Sequence, residues 1–282
     1  MFKRIKNYMW DLRDRQRILI ALTKGNAMMQ SRRIDPTNPA TWEFSGFSQN
    51  GEDGIIDVLR KNLLKSNRYF IEIGAADGIE NNSAWLLIAE KLNGLMIEGN
   101  PFLSIRSKRI VEGYSIGAEC INMFVTKESA SLIRRLSFFD DPDVFSLDID
   151  GIDYYIAQAV LEAGMRPKIF VVEYNSVFGP DKCITVEYKS DFSNSKSHPS
   201  MLKYGVSISG WRKFFESHGY KFVTVDKNGV NAFFVNPDFF DGSFLNNIQS
   251  NYFAENIYQF KKFRKKSNEQ FILIADEKFQ TI

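Results

Sequence analysis

The stretch that decides the fold is Tyr69-Phe70-Ile71-Glu72-Ile73-Gly74-Ala75-Ala76-Asp77-Gly78, an apolar strand pattern that runs into a glycine-rich turn. Gly74 and Gly78 lack a Cβ, so the backbone can approach a ligand closely at both positions. A second acid, Glu98, closes another apolar run twenty positions after Gly78. A carboxylate at such a strand end can accept both hydroxyl hydrogens of a ribose. The two strand ends together predict a site for a nucleotide-type cofactor.

The turn departs from the dinucleotide fingerprint, in which the glycines are spaced to receive a pyrophosphate. Ala76 stands in place of the middle glycine, and Asp77 puts a negative charge on the turn. Because a carboxylate is a poor neighbour for a phosphate, a cationic nucleoside cofactor without phosphate fits better, and S-adenosylmethionine is the common one. A strand and turn of this kind also occur for packing reasons alone, so the interpretation depends on Glu98.

Composition predicts an ordinary globular protein that is long enough for one large domain or a domain with extensions. The 282 residues are 44% hydrophobic, and 36 basic against 34 acidic residues give a formal charge of +2. That balance does not favour a nucleic-acid surface. Cys120 and Cys183 have no metal-ligand spacing and offer no disulfide framework, so a cytoplasmic location is expected.

The N-terminal residues predict an amphipathic helix rather than a signal peptide, because charged residues are mixed among the apolar ones. No apolar run is long enough to span a bilayer. The spacing of Ile5, Met9 and Leu12 leaves two uses open for this helix. It packs on the body of the protein or forms a homo-oligomer contact, or it lies on a membrane surface, which the mixed charges disfavour.

Three regions are predicted along the chain: a helical extension over residues 1–45, a central domain over 46–236, and a helical or irregular tail over 237–282. Strands alternate with helices in the central domain, which predicts a doubly wound α/β sheet. The Asn-Gly turn at 228–229 predicts that the last two strands form an antiparallel hairpin. The remaining predicted elements are a crossover helix over 83–92, a stop signal at Asn100-Pro101 after the second strand, and a third strand near 120–125.

Six ordered blocks of the central domain carry a resemblance to a known family. They are Ser48-Gln49-Asn50-Gly51-Glu52-Asp53-Gly54, Phe70-Ile71-Glu72-Ile73-Gly74, Ile97-Glu98-Gly99, residues 146–155 (SLDIDGIDYY), Val172-Glu173-Tyr174-Asn175 and Asn231-Ala232-Phe233-Phe234-Val235. Together they resemble the FkbM-type family of class I S-adenosylmethionine-dependent methyltransferases, over about residues 46–236. The resemblance implies a Rossmann-like, mostly parallel sheet with a C-terminal antiparallel hairpin. It also implies O-methyl transfer to a sugar hydroxyl, with a nucleotide-activated sugar as one form of the acceptor, in the synthesis of capsular or other surface polysaccharide or a related glycan.

By the same resemblance, one set of residues is expected to bind the cofactor. Glu72, Gly74 and Gly78 would form the cradle for the methionine end, and Glu98 would bind the ribose. Asp77 lies near the sulfonium or caps the following helix. Ala75 and Asp148 complete the predicted cofactor set.

Carboxylates end two strands that are expected to be neighbours. Asp148 and Asp150 follow one strand, and Glu173 and Asn175 close the next. Oxygen ligands of this kind suit Mg²⁺ or Mn²⁺, so a divalent cation is one hypothesis. The alternative is that these groups orient loops by accepting backbone hydrogen bonds.

A sugar hydroxyl needs a base or a metal to lose its proton near neutral pH. His198, in a polar loop, is one candidate base, and Asp150 and Asp153 are the others. His218 is better explained by a contact with a helix C-terminus. The neighbouring aromatic residues predict core packing or a surface for a ring to stack on; they are Tyr154, Tyr155, Tyr174 and Phe178.

Two other function classes remain open from the sequence. The glycine turn and Glu98 also suit an NAD-dependent oxidoreductase. A binding module that keeps the fold but has no turnover is the third hypothesis.

Overall fold

A computed structural model describes residues 2–282, and it describes side chains from Met9 onward. The predicted apolar position Ile5 therefore lies outside the described side chains. The helices are α1 Phe2–Ser31, α2 Glu52–Lys61, α3 Ala84–Ile88, α4 Pro101–Tyr114, α5 Ala130–Leu136, α6 Asp153–Glu162, α7 Asn194–Ser197, α8 Ile208–Ser217, α9 Gly242–Asn246, α10 Ile257–Phe263 and α11 Ser267–Phe271. The strands are β1 Tyr69–Ile73, β2 Asn93–Glu98, β3 Ala118–Asn122, β4 Val144–Leu147, β5 Ile169–Glu173, β6 Ile184–Val186, β7 Lys221–Val225, β8 Asn231–Val235 and β9 Phe279–Thr281.

Seven strands form the central sheet in the order β3-β2-β1-β4-β5-β8-β7. The first five pair in parallel, and β8 pairs antiparallel with both β5 and β7. This is the doubly wound, Rossmann-like sheet with a closing antiparallel hairpin, and the predicted class I methyltransferase fold is confirmed. Strand order reverses between β1 and β4, where ligands bind in open α/β sheets.

The sheet is buried on both faces because its strands are nearly continuous apolar runs. Phe70, Met96 and Val171 face one core layer, which also receives α1 to α4. Ile71, Leu95 and Val172 face the other layer, which is closed by α5, α6 and α8. Alternate residues of each strand thus supply the two layers.

The structure confirms one local prediction and corrects another. The stop signal at Asn100-Pro101 is confirmed, since β2 ends at Glu98. The Asn100 side chain then accepts hydrogen bonds from the N–H groups of Phe102 and Leu103, and Pro101 opens the 14-residue helix α4, which the sequence did not predict. Proline suits the first turn of a helix because its missing N–H needs no partner there. The tail is not only helical or irregular, since β9 pairs antiparallel with β6.

The other predicted elements differ in their bounds. The crossover helix is shorter than predicted, at five residues. The third strand begins earlier, at Ala118.

None of the helices within residues 2–282 is both long and apolar enough to cross a membrane.

Candidate functional site

A cleft of about 480 Å³ opens at the carboxyl ends of β1, β2 and β4. Its wall includes Gly74, Glu98, Asn100, Leu103, Asp148 and Asp150. Four carboxylates line it, from Glu80, Glu98, Asp148 and Asp150, and no Lys or Arg is among the described residues of its wall. The cleft is therefore anionic, which favours a cationic ligand over a phosphate.

Glu98 is held by the backbone at the end of β2. One carboxylate oxygen accepts the Ala76 N–H at 2.8 Å, and the other accepts the Asn100 N–H at 2.6 Å. Each carboxylate oxygen has a second lone pair for another donor. The arrangement suits the predicted pair of ribose hydroxyls, and the side chain lies where the sequence predicts a ribose contact.

The two turn glycines are needed for contacts within the protein. A Cβ on Gly74, whose φ is +90°, would lie 1.7 Å from the carbonyl oxygen of Asp148. A Cβ on Gly78, at φ +81°, would lie 2.8 Å from the Cα of Ser107 in α4. Gly74 also lines the cleft, whereas Gly78 is among the residues of neither cavity described here.

Ala76 also lines the cleft, whereas Ala75 and Asp77 are not among its described wall residues. Ala75 is fully buried, and Asp77 forms ion pairs with Arg17 of α1, at 2.5 Å, and Arg106 of α4, at 3.1 Å. Arg17 lowers the pKa of Asp77, although burial opposes the shift. The expectation that Asp77 repels a phosphate is therefore wrong, because two guanidinium groups neutralise it. The carboxylates of the cleft wall still disfavour a phosphate, although Arg17 pairs with Glu80 at 3.3 Å and burial favours a proton on Asp148.

A second, polar cavity of about 280 Å³ adjoins the first. Gly74, Glu80, Asp148 and Asp150 line both. Its other walls are mainly carboxylates and amides, which come from Gln49, Asn50, Glu52, Glu72, Asn81, Asn82, Glu173, Asn231 and Asn256. No Lys, Arg or His is among its described wall residues. A ligand that presents uncharged or positively charged hydrogen-bond donors suits such a cavity.

Glu72 lies in this second cavity and not in the cleft. Its carboxyl group accepts hydrogen bonds from the hydroxyls of Ser83 and Ser146. Burial raises the pKa of Glu72 to about 7, against the opposing effect of these two hydroxyls. The carboxyl group that the sequence assigned to the cofactor cradle thus lines the polar cavity instead.

Three carboxylates converge at that boundary. One oxygen from each of Asp148, Asp150 and Glu173 lies within 4.8 Å of the other two. Burial, reinforced by the charge of Asp150, raises the pKa of Asp148 well above its ordinary value. Burial and the charge of Asp148 do the same for the pKa of Glu173. Without a cation between them, Asp148 and Glu173 therefore favour protonation of one partner.

The buried Oε2 of Glu173 accepts no hydrogen bond of ordinary geometry from the described residues, although Asp148 and the Tyr204 hydroxyl interact with its carboxyl group. Its cross-strand neighbour in the β5–β8 pair is Asn231, whose Oδ1 is likewise buried and without a partner. Both side chains line the second cavity. Since unpaired buried acceptors are costly, the pair indicates an occupant that brings donors or positive charge.

Two predicted site residues have other tasks. The Asn175 side chain accepts from the Val177 N–H and donates to the carbonyls of Leu202 and Tyr204, so it does not join the acidic cluster. Asp153 accepts the N–H groups of Ile149 and Gly151 at 3.0 and 2.9 Å. Both of its oxygens hold the loop after β4, and Asp153 is among the described wall residues of neither cavity.

The structure does not bring His198 to either cavity. Its Nδ1 forms hydrogen bonds with the hydroxyl and N–H of Ser200, inside its own loop. His218 caps the C-terminal end of α8 beside the Phe214 carbonyl, as expected. Asp150 is the predicted base candidate that lines both cavities, and its backbone has a φ of +52°. Burial raises the pKa of its carboxyl group.

The four aromatic residues next to the cluster pack in the core. Tyr174 and Phe178 are buried, and the Tyr174 hydroxyl donates to the Ala254 carbonyl. Tyr155 donates to the Val186 carbonyl, and Tyr154 packs against Phe214. They offer no open face to a ligand in either cavity.

The sequence reasoning missed Asn231 as a site residue, and it gave no role to the block at residues 48–54. Glu52 accepts hydrogen bonds from the side-chain amides of both Asn50 and Asn231, at 2.8 Å each. This network fixes one wall of the second cavity. The signal was present, because both blocks belong to the family resemblance, but neither lies next to the glycine turn in the sequence.

Several solved structures are similar to this chain at low identity. An O-methyltransferase from Bacillus cereus in complex with SAH is 15% identical, with 78% of this chain and 89% of that chain covered and a TM-score of 0.43. The O-methyltransferase TomG from Streptomyces achromogenes, in complex with SAM, is 16% identical, with 67% and 80% covered and a TM-score of 0.42. The CurJ carbon methyltransferase is 11% identical, with 83% and 70% covered and a TM-score of 0.43.

No protein-family model matches the chain, and no curated protein matches it either.

Proposed function

We propose that this chain is an S-adenosylmethionine-dependent O-methyltransferase of the FkbM type that acts on a sugar hydroxyl. The observation that carries the proposal is a pair of adjoining cavities at the topological switch point, which share Asp148 and Asp150. One cavity suits a cationic nucleoside cofactor. The other suits a hydroxyl-rich acceptor.

The cleft supports S-adenosylmethionine more than NAD. Glu98 is fixed by two backbone N–H groups where a ribose hydroxyl pair would lie. The carboxylates around it favour a sulfonium cation, whereas a pyrophosphate would meet like charge and no basic partner among the described wall residues. An NAD-dependent oxidoreductase is the disfavoured alternative.

The second cavity supports a neutral acceptor. Its amides and carboxylates pair well with sugar hydroxyls, and the unpartnered oxygens of Glu173 and Asn231 would each accept one hydrogen bond. Because the walls carry carboxylates and no basic residue among those described, a phosphate-bearing part of a nucleotide sugar would have to lie outside. Surface-polysaccharide or related glycan synthesis in the cytoplasm is the setting in which such an acceptor occurs.

The proposed reaction is a direct displacement. The acceptor oxygen forms a bond to the methyl carbon as the bond from that carbon to sulfur breaks, and S-adenosylhomocysteine leaves. The hydroxyl proton passes to the carboxylate of Asp150, which faces both cavities. The chain contributes mainly by aligning the two reactants and by accepting this proton.

A divalent cation at the acidic cluster is part of the proposal. The oxygens of Asp148, Asp150 and Glu173 fit a hard cation, and the unpartnered Glu173 Oε2 is the observation that favours one. Asn231 Oδ1 replaces the predicted Asn175 as the nearby amide oxygen. When bound, the cation would lower the pKa of an acceptor hydroxyl.

Transfer of a labelled methyl group from S-adenosylmethionine to a panel of glycans and nucleotide sugars tests the activity. We expect label in at least one sugar, and a loss of about 100-fold or more in Asp150→Asn. Asp181→Asn, at an exposed position, is the matched control. If S-adenosylhomocysteine binds but no acceptor in the panel is labelled, the non-catalytic module becomes the better account.

A further inference from the structure

Helix α1 is held against the body by one face. Ile18 and Ala21 are buried in the core layer that receives α1 to α4. A Cβ on Gly25 would overlap the ring of Trp85, so the helix lies in close contact with α3. Arg17 reaches Asp77 on the glycine turn. These contacts fix which side of α1 faces outward.

The outward side of α1 carries a stripe of four exposed large apolar residues, between which the exposed polar residues Gln16 and Thr23 also lie. Met9, Leu12, Leu19 and Ile20 are 63%, 43%, 66% and 67% exposed. At 3.6 residues per turn these four positions fall within an arc of roughly 100°. Large apolar residues that cluster on one exposed face mark an interaction surface.

Basic residues lie on both sides of this stripe. By helical rotation, Arg13 and Lys24 lie beyond one edge of the stripe, and Arg15 lies beyond the other. All three side chains are exposed. Seven basic and two acidic residues give α1 a formal charge of +5. The whole chain carries +2, so the rest of the molecule carries −3. The positive charge of the protein is therefore concentrated on this helix.

We propose that the outward face of α1 docks in the plane of an anionic lipid bilayer. An apolar stripe with basic flanks suits the boundary between acyl chains and negatively charged headgroups. A second copy of the chain is the less suitable occupant, because it would bring another helix of charge +5 against the first. Since no helix within residues 2–282 can cross a membrane, the contact is peripheral.

Exposed apolar residues continue from the stripe on α1 toward the cleft. Phe102 and Ile105, in the first turns of α4, are 51% and 58% exposed. The ring of Phe102 meets Trp10 of α1 edge-on, with centroids 5.3 Å apart. Asn100 and Leu103, which flank Phe102 in the chain, line the cleft. Docking would therefore bring one rim of the cleft close to the bilayer, and it does not depend on the proposed methyl transfer.

Vesicle flotation with the full-length chain tests this proposal. We expect the protein to float with vesicles of phosphatidylcholine containing about one third phosphatidylglycerol, but not with phosphatidylcholine alone. Binding should weaken as salt is raised. The double substitution Leu19→Glu and Ile20→Glu should lower the partition coefficient at least tenfold, whereas Ile272→Glu, at a residue 71% exposed in the tail, should leave it unchanged.

Circular dichroism of the double variant checks that the fold is retained, and light scattering reports the oligomeric state. The proposal is overturned if the wild-type chain stays unbound with anionic vesicles, or if the folded double variant floats as well as the wild type. It is also overturned if the wild type is a dimer without lipid and the double variant is a monomer, since the stripe would then be a contact between copies. Methyl-transfer activity on a water-soluble acceptor is independent of all these outcomes.

Discussion

Gly74 is the residue at which fold and site constrain each other most closely. Its φ of +90° suits only glycine, and the space where a Cβ would stand is filled by the Asp148 carbonyl. The same residue lines both cavities. The glycine that looked like a ligand contact in the sequence is thus first a requirement for packing β1 against the end of β4.

Gly74→Ala should destabilise the protein strongly, because the new Cβ adds a backbone clash to an unfavourable φ. Gly164→Ala is the matched control: its φ is +88°, and nothing lies within 4 Å of the added Cβ. We expect a loss of about 1 kcal/mol in the free energy of unfolding for Gly164→Ala, and at least about 2 kcal/mol more for Gly74→Ala. Equal losses in denaturant unfolding would contradict the close approach to Asp148.

The carboxyl ends of β1, β4 and β5 bring together more buried carboxyl groups than the interior of a protein normally holds. Glu72, Asp148 and Glu173 all have raised pKa values, and burial is the first cause for each. These strands pair in parallel, so their ends lie at one edge of the sheet. Such a concentration of carboxyl groups lowers stability unless protons or cations compensate it.

Glu72 should make stability fall as the pH rises. The folded protein holds this proton up to about pH 7, whereas the unfolded chain releases it near the ordinary value of 4.5. The contribution of Glu72 is therefore present below pH 4.5 and is lost between there and pH 7. Across that window, Glu72→Gln should gain up to about 3 kcal/mol in unfolding free energy relative to wild type.

Denaturant unfolding at about pH 5 and about pH 8 measures this difference. Glu119→Gln, at an exposed position of β3, serves as the control and should follow the pH dependence of the wild type. A Glu72→Gln variant whose stability also runs parallel to the wild type would mean that Glu72 is ionised in the folded protein.

The acidic cluster at the carboxyl ends of β4 and β5 should bind one Mn²⁺ per chain. Asp148→Asn combined with Glu173→Gln removes two of the three converging carboxylates and should abolish that binding. Asp181→Asn should leave it unchanged. Electron paramagnetic resonance of added Mn²⁺ gives the bound fraction without any assay of turnover. Unchanged binding in the double variant would show that the cation lies elsewhere.

The features of the molecule that the sequence predicted correctly are those determined by residues close together in the chain. Buried parallel strands are continuous apolar runs, and the Asn-Gly turn fixes the closing hairpin, so the sheet followed from the sequence. The position of Glu98 beside the turn followed as well. Helix α4 did not, because a proline after an asparagine marks the end of the preceding strand and is compatible with either a loop or a helix start after it.

The contacts that complete the site join distant parts of the chain. Arg17 and Asp77 are 60 positions apart, and the hydrogen bond from Asn231 to Glu52 spans 179. The unpartnered pair of Glu173 and Asn231 exists only because β8 is inserted beside β5. Neither spacing nor composition contains these pairings, which is why His198 and Asn175 were expected in the site and Asn231 was not.

Calorimetric titration with S-adenosylhomocysteine, and separately with NAD, tests the central claim most directly. We predict that S-adenosylhomocysteine binds one to one and that NAD gives no binding heat. Glu98→Gln should lower the affinity for S-adenosylhomocysteine at least about tenfold, because a charged hydrogen-bond acceptor is lost. Glu119→Gln should bind like the wild type. Binding of NAD without any response to S-adenosylhomocysteine would contradict the account, and so would unchanged affinity for S-adenosylhomocysteine in Glu98→Gln.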